Sequence, residues 1–327
     1  MLDWIPFETL GTFGLIGGVL LGFVLLSYGG DQLTKGAIGL ADSLKLNPII
    51  IGLTVVSMAT SMPEFFTSFT SVSKGSSGLA IGNIVGSNIA NIGLIMGFSA
   101  VVYPIVIKKR LFIWEGPLLV LVSIMFYWFS SDGKLSQKDG FFLVLYMIVY
   151  LYFVIKNARS GQPMEEVEES LKEGKGLTVG ASIFFTLLGT ALLIVGSEGL
   201  VNSSVNLARK FNISETLIGF TMVAIGTSLP ELAASIASVL KKEADLLAGN
   251  IVGSNLFNIL VVGGGISLMK SIEVDVSLFK LEYPSMLLLT IVLCIFFIRH
   301  KIVDRIEGAI LLTLYFSIIG YSTWISI

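Results

Sequence analysis

"GLTVVSMATSMPEFFTSFTSVSKGSSGLAIGNIVGSNIAN" at 52–91 returns at 219–258 as "GFTMVAIGTSLPELAASIASVLKKEADLLAGNIVGSNLFN". Aligned without gaps at an offset of 167, 20 of the 40 positions are identical, which marks an internal duplication. Both copies sit in long apolar runs. Each nevertheless carries a proline, a glutamate and the heptapeptide "GNIVGSN", at 82–88 and 249–255. Polar groups inside apolar spans are costly, so a duplicated set of them calls for a physical reason.

The surrounding chain says what kind of span this is. Of 327 residues, 54% are hydrophobic and 13% charged, against roughly 25% charged in a soluble domain. Runs of about 20 apolar residues can cross a bilayer as helices, and ten stand out. They lie near 10–30, 48–73, 78–103, 112–130, 138–156, 177–200, 215–240, 245–269, 282–299 and 306–325. The longest polar link, 156–176, separates two sets of five. The expected fold is an all-α polytopic membrane protein of about ten transmembrane helices in two inverted five-helix repeats. The first repeat is 1–157 (spans 1–5), the linker 158–176, and the second repeat 177–327 (spans 6–10). An odd number of spans per half makes the two copies enter the membrane from opposite sides. Inverted repeats with interrupted helices are the pattern of secondary transporters, whose sites lie at mid-membrane where the copies meet.

Lys and Arg set the orientation. Counting alternate sides, fourteen fall with the central linker and seven opposite, which places the linker in the cytoplasm and both termini outside a cell membrane. The start, "MLDWIPFETL", lacks a positive leader region, so the first apolar run reads as a mature helix. A net charge of −2 gives no footing for a nucleic-acid partner; the partner is the lipid bilayer, and nothing sets an oligomeric state. Cys294 and His300 read as structural residues, and "EEVEES" at 165–170 as a solvated acidic run too short for a regulatory domain. Asp31 aligns with Glu198, both expected near the ends of the spans that open each half. Asn47-Pro48 and Ser214-Glu215 look like helix starts.

In "ATSMPE" (59–64) and "GTSLPE" (226–231), Pro63 and Pro230 cannot donate to the carbonyls one turn back, at Ala59 and Gly226. Carbonyls freed inside a bilayer need partners, and a bound cation is one. Thr60, Ser61, Thr227 and Ser228 add hydroxyls at the breaks, and Glu64 and Glu231 follow. A glutamate at mid-membrane costs about 3 kcal/mol on insertion scales; two at matched positions in inverted copies should converge on one cavity. In the heptapeptide, Gly82/Gly86 and Gly249/Gly253 form G-x-x-x-G, which lets helices approach. Asn83, Ser87 and Asn91, and Asn250, Ser254 and Asn258, run at i, i+4, i+8 along one helical face. Carboxylate, carbonyl, hydroxyl and amide are hard oxygen donors suited to Na⁺ and Ca²⁺; no Cys/His set offers a soft-metal site.

At these residues the sequence resembles the cation/Ca²⁺ antiporter superfamily and, within it, the sodium/calcium exchangers. The paired "TSMPE"/"TSLPE" and "GNIVGSN" signatures carry the resemblance. It implies alternating access around four cation sites, with Ca²⁺ and Na⁺ as transported ions, no cofactor and no enzymatic chemistry. By motif position, Glu64 and Glu231 are the implied shared carboxylates, and main-chain oxygens of Thr60 and Thr227 complete the calcium site. Ser57, Ser61 and Ser87 are implied at one flanking Na⁺ site. The Ala224 carbonyl, Ser228 and Ser254 are implied at the other, and Asn91 and Asn258 at the middle. The chain departs from many members at "SMATS", where they have "AxGTS", and at Asn258, where potassium-dependent exchangers carry Asp. The latter argues against K⁺ coupling. Proton/calcium exchangers typically carry a glutamate where this chain has Gly86 and Gly253, which disfavours proton coupling.

Two negative charges are neutralised by one Ca²⁺, whereas three Na⁺ leave one positive charge in excess. Moving that charge is worth about 2.3 kcal/mol per 100 mV, so exchange is expected to be electrogenic. The rivals are an H⁺/Ca²⁺ antiporter of the same superfamily and a cation channel, which would conduct without counterflow.

Overall fold

The offset of 167 that relates the two copies in sequence also relates their secondary structure. The computed structural model describes residues 7, 10–157, 176–211 and 226–326. In the first copy, α1 (Thr12–Leu44) leads into α2 (Pro48–Thr60), α3 (Met62–Ser73) and α4 (Ser77–Val102). Then come α5 (Leu111–Ser130) and α6 (Gln137–Asn157). In the second copy, α7 (Val179–Lys210), α8 (Leu229–Leu240), α9 (Ala244–Met269), α10 (Glu282–His300) and α11 (Arg305–Ser326) follow in the same order. Even the local irregularities repeat. A π-helical turn at Asn91–Met96 in α4 recurs at Asn258–Gly263 in α9.

Among the described residues, seven helices are long and apolar enough to cross a membrane, or up to eight if the bent pair α2–α3 counts as one span. The protein is thus an all-helical membrane protein. Exposed apolar side chains such as Leu20, Ile148, Leu187 and Ile310 cover its outside, as a lipid-facing surface requires. Among the described residues, four two-residue strands, which helical periodicity does not announce, tie the loops. β1 (Ile105–Val106) pairs antiparallel with β4 (Ile302–Val303), and β2 (Lys134–Leu135) with β3 (Ile272–Glu273). Each ladder joins one copy to the other.

Local chemistry explains the start of α2. Asn47 accepts from the Ile49 amide at 3.0 Å while Pro48 opens α2, as its N-cap sequence anticipates. The matching Ser214-Glu215 lies outside the described residues, as does the linker from 158 to 175. Two expected spans need correction. The runs placed at 10–30 and 177–200 continue to Leu44 and Lys210, so Asp31 and Glu198 lie well within helices instead of near their ends. Polar residues there keep the helix because each long helix packs on the other.

That packing is a seam of small residues. A Cβ on Gly22 would stand 2.6 Å from Leu200, and one on Gly36 2.5 Å from the Thr186 amide. Positions rising along α1 meet positions falling along α7, so the two run antiparallel with backbones in contact. In lipid, where apolar burial drives little helix association, such close approach supplies the attraction. The heptapeptide glycines do the same for α9. A Cβ on Gly249 would meet the Ile49 carbonyl at 2.6 Å, and one on Gly253 the Leu53 Cα at 2.8 Å. Helix α9 is buried throughout Asp245–Phe257 and forms the centre of the molecule with α4. Cys294 is buried and unbridged, packed near Gly116 as a structural residue.

Candidate cation site

Each copy interrupts its helix at the serine of T-S-x-P-E. Helix α2 ends at Thr60, Ser61 takes φ −84° and ψ 5°, and α3 restarts at Met62, bent by 41°. Ser228 repeats this at φ −87° and ψ 5° ahead of α8. The prolines fall in the first turn of the new helices, where a missing N–H costs nothing. The last carbonyls of α2 are left short of helical partners. Glu64 and Glu231 lie in the first turns of α3 and α8, where the positive end of a helix favours a carboxylate.

Both glutamates are buried, at 0% and 1% exposure. The Ser61 hydroxyl donates to Glu231 Oε1 at 3.2 Å, across the boundary between copies. Further bonds cross the same boundary. The Thr60 hydroxyl donates to Asn250 Oδ1 at 3.3 Å and lies 3.3 Å from Ser254 Oγ. The Thr227 hydroxyl donates to Asn83 Oδ1 at 3.2 Å. Asn91 Nδ2 donates to Asn255 Oδ1, and Asn258 Nδ2 to Ser87 Oγ, each at 3.0 Å.

What these bonds leave over is informative. Both carboxylate oxygens of Glu64, Oε2 of Glu231, Oδ1 of Asn91 and of Asn258, and Oγ of Ser228 are buried without a hydrogen-bond partner. A buried oxygen left so forfeits about 1–3 kcal/mol, more if charged. Three belong to the glutamates just after the breaks, one to Ser228 at a break, and two to the amides that open the π-helical turns of α4 and α9. No group of three or more His, Cys, Asp or Glu exists among the described residues, so any ligand set here mixes carboxylate with neutral oxygens. That chemistry fits alkali and alkaline-earth cations.

Of the remaining sequence-derived positions, Ser57 and Ser87 are buried in α2 and α4. Ser57 is fully buried and donates back to the Thr54 carbonyl at 3.1 Å. Ser87 does likewise to Ile84 while accepting from Asn258. Ala224 lies outside the described residues. A cavity of about 540 Å³ runs from the α3–α4 turn, past Thr70 and Glu198, to Pro63 and Thr227 beside the breaks. The cavity thus reaches the breaks from the side of the α3–α4 turn.

The sequence pattern of the family described as "Sodium/calcium exchanger protein" matches residues 14–156 and 181–324. The chain belongs to the sodium/calcium exchanger family. One relative is the "Putative antiporter CaxA" of Alkalimonas amylolytica, 38% identical over 310 residues, 93% of this chain and 96% of its own. "Sodium/calcium exchanger MaX1" of Methanosarcina acetivorans is 30% identical over 338 residues, 91% and 95% of the two chains. A solved structure of the sodium-calcium exchanger NCX_Mj, soaked with Na⁺ and Ca²⁺, superposes with a TM-score of 0.81. It shares 31% identity and covers 94% of this chain and 97% of that one.

Within this sodium/calcium exchanger fold, Asn83 and Asn250 do something their place on a polar stripe does not reveal. Asn83 donates to the Glu64 carbonyl at 3.2 Å and accepts from Thr227, so it braces both breaks. Asn250 receives Thr60 in the mirrored arrangement. Asn255 was missed by the i, i+4, i+8 rule because it lies off that face. Only the crossing of α4 and α9 brings it to Asn91.

Proposed function

We propose that the chain is a secondary active antiporter that exchanges Na⁺ for Ca²⁺ by alternating access, electrogenically and without K⁺. The observation that carries this reading is the set of six partnerless buried oxygens, two carboxylates among them, at the junction of the copies. Glu64 and Glu231 are the carboxylates shared by Ca²⁺ and Na⁺, and main-chain oxygens of Thr60 and Thr227 complete the calcium shell. Ser57, Ser61 and Ser87 flank on one side; the Ala224 carbonyl, Ser228 and Ser254 flank on the other. Asn91 and Asn258 stand in the middle. As neutral amides at both middle positions, they leave a site charge of −2, which one Ca²⁺ neutralises and three Na⁺ exceed by one. The ions are cargo, and no cofactor or covalent step is involved.

In this reading the chain has ten spans in two inverted repeats, 1–157 and 177–327, joined by a cytoplasmic linker at 158–176. The face bearing Lys241 is then cytoplasmic and the cavity face external, with both termini outside. A cavity on one face and close helix packing on the other support alternating access over a continuous pore. The test is Ca²⁺ uptake by proteoliposomes under an outward Na⁺ gradient at clamped potential. Uptake should require Na⁺, respond to voltage and ignore K⁺; uptake indifferent to Na⁺ and voltage refutes the reading.

A further inference from the structure

Four charged residues outside the cation site sit at matched places on the two faces. Lys241 ends α8, and its ammonium lies 3.7 Å from the Asp31 carboxylate on α1 while donating to the Asp31 carbonyl at 3.2 Å. Beside this pair the helices touch. A Cβ on Gly30 would stand 2.8 Å from the Ala233 carbonyl, and Ala234, Ala237 and Ser238 are buried. Beside Lys241, α1 and α8 thus pack with no gap between their backbones.

The residues 167 positions away repeat the chemistry in another geometry. Lys74 ends α3 with φ −85° and ψ 4°, against −86° and 0° at Lys241. Glu198 takes the place of Asp31 on α7. Both line the 540 Å³ cavity; Lys74 is not bridged to Glu198, which has a contact of its own elsewhere. Thr67 and Thr70, the counterparts of Ala234 and Ala237, are exposed on its wall.

We propose that Asp31–Lys241 and Glu198–Lys74 are alternating latches. The first holds the Lys241 face closed while the cavity face is open. The second forms when α3 and α7 close that cavity and the first has parted. All four are positioning residues that need not touch the transported ions. Each joins a long helix of the α1–α7 pair to the end of a half-helix that carries a site glutamate, so making or breaking it is coupled to which face reaches the site. A lysine also suits the negative end of its helix, so the protein folds with either latch open. The inference rests on the alternating access proposed above.

The test uses paired reporters, Ser238→Cys on the shut face and Ser71→Cys in the cavity, in a full-length Cys294→Ser background in detergent. A hydrophilic maleimide reports their exposure. Lys241→Ala and Asp31→Asn should each raise the alkylation rate at position 238 and lower it at position 71, by about threefold, as a partly exposed ion pair allows. Lys241→Arg and the exchange Asp31→Lys with Lys241→Asp should keep the parent rates. Lys74→Ala and Glu198→Gln should shift the balance the opposite way. Parent rates at both reporters in Lys241→Ala and Asp31→Asn would overturn the latches. Sodium-driven Ca²⁺ uptake is measured in the reporter parents. Its absence there, with alkylation still responding, would count against the exchange reading and leave the latches standing.

Discussion

The face shut by Lys241 and the face open beside Lys74 are built from one pattern used twice, and they differ in bulk more than in charge. On the shut face Gly30, Ala233 and Ala237 meet, so backbones approach to contact. On the open face the same positions hold Ser197, Phe66 and Thr70, around a cavity of about 540 Å³. Lysine and acid are retained on both faces. In the alternating access proposed above, repeated chemistry supplies two related states and side-chain volume sets which face closes more readily. The comparison teaches that an internal duplication supplies the alternatives and its sequence drift supplies the bias.

The largest expected effect concerns what the faces share. Glu64→Gln or Glu231→Gln should weaken Ca²⁺ binding by ~2–5 kcal/mol, about 30-fold or more, because a buried charge is lost from the ion's shell. Titration calorimetry and flux should register this equally for both directions of transport. A loss confined to one direction would break the comparison, since it would assign a glutamate to a single face.

Gly30→Leu attacks the shut face. Its side chain must displace the α8 backbone, an overpacking cost of about 1–3 kcal/mol. Exchange should fall about tenfold and position 238 should become reactive, whereas Ser197→Leu should leave position 238 protected.

Acid should slow exchange from either face, because protons compete with cations for two neighbouring carboxylates. As pH falls from neutral to mildly acidic, each proton taken up removes a charge that the cation needs. A flux independent of pH over that interval would contradict the shared site.

A smaller effect sharpens the role of bulk. Phe66→Ala brings the open face closer to the alanine of the shut one and should reduce alkylation at position 71 by about threefold, the size of a ~0.6 kcal/mol bias. Smallest is Ser61→Ala, which removes the donor to Glu231 Oε1 and costs about 0.5–1.5 kcal/mol. It should alter Na⁺ affinity by a few-fold with the fold intact, as thermal unfolding can check.

Much of the centre was legible in advance. Pro63 and Pro230 locate the breaks because a proline cannot continue the ladder behind it, and Asn47-Pro48 announces a helix start for the same local reason. The matched burial of Glu64 and Glu231 just after the breaks follows from the duplication. The ends of α1 and α7 were not legible. Asp31, Gln32 and Lys35 look like a span's polar exit, yet they remain helical against α7, with Gln32 buried and Lys35 over the Phe185 ring. Asn255 escaped because face periodicity describes one helix, and its bond to Asn91 belongs to a crossing of two.

From its residues alone the chain determined that it lives in lipid, that it carries one motif twice, and where each copy of its helix must break. Those are consequences of hydropathy, identity and proline geometry, all local along the chain. Which oxygens end up without partners, and which of two equivalent faces is sealed, were decided only by tertiary packing. Both depend on distances between residues far apart in sequence, set by how closely small side chains let the helices come together.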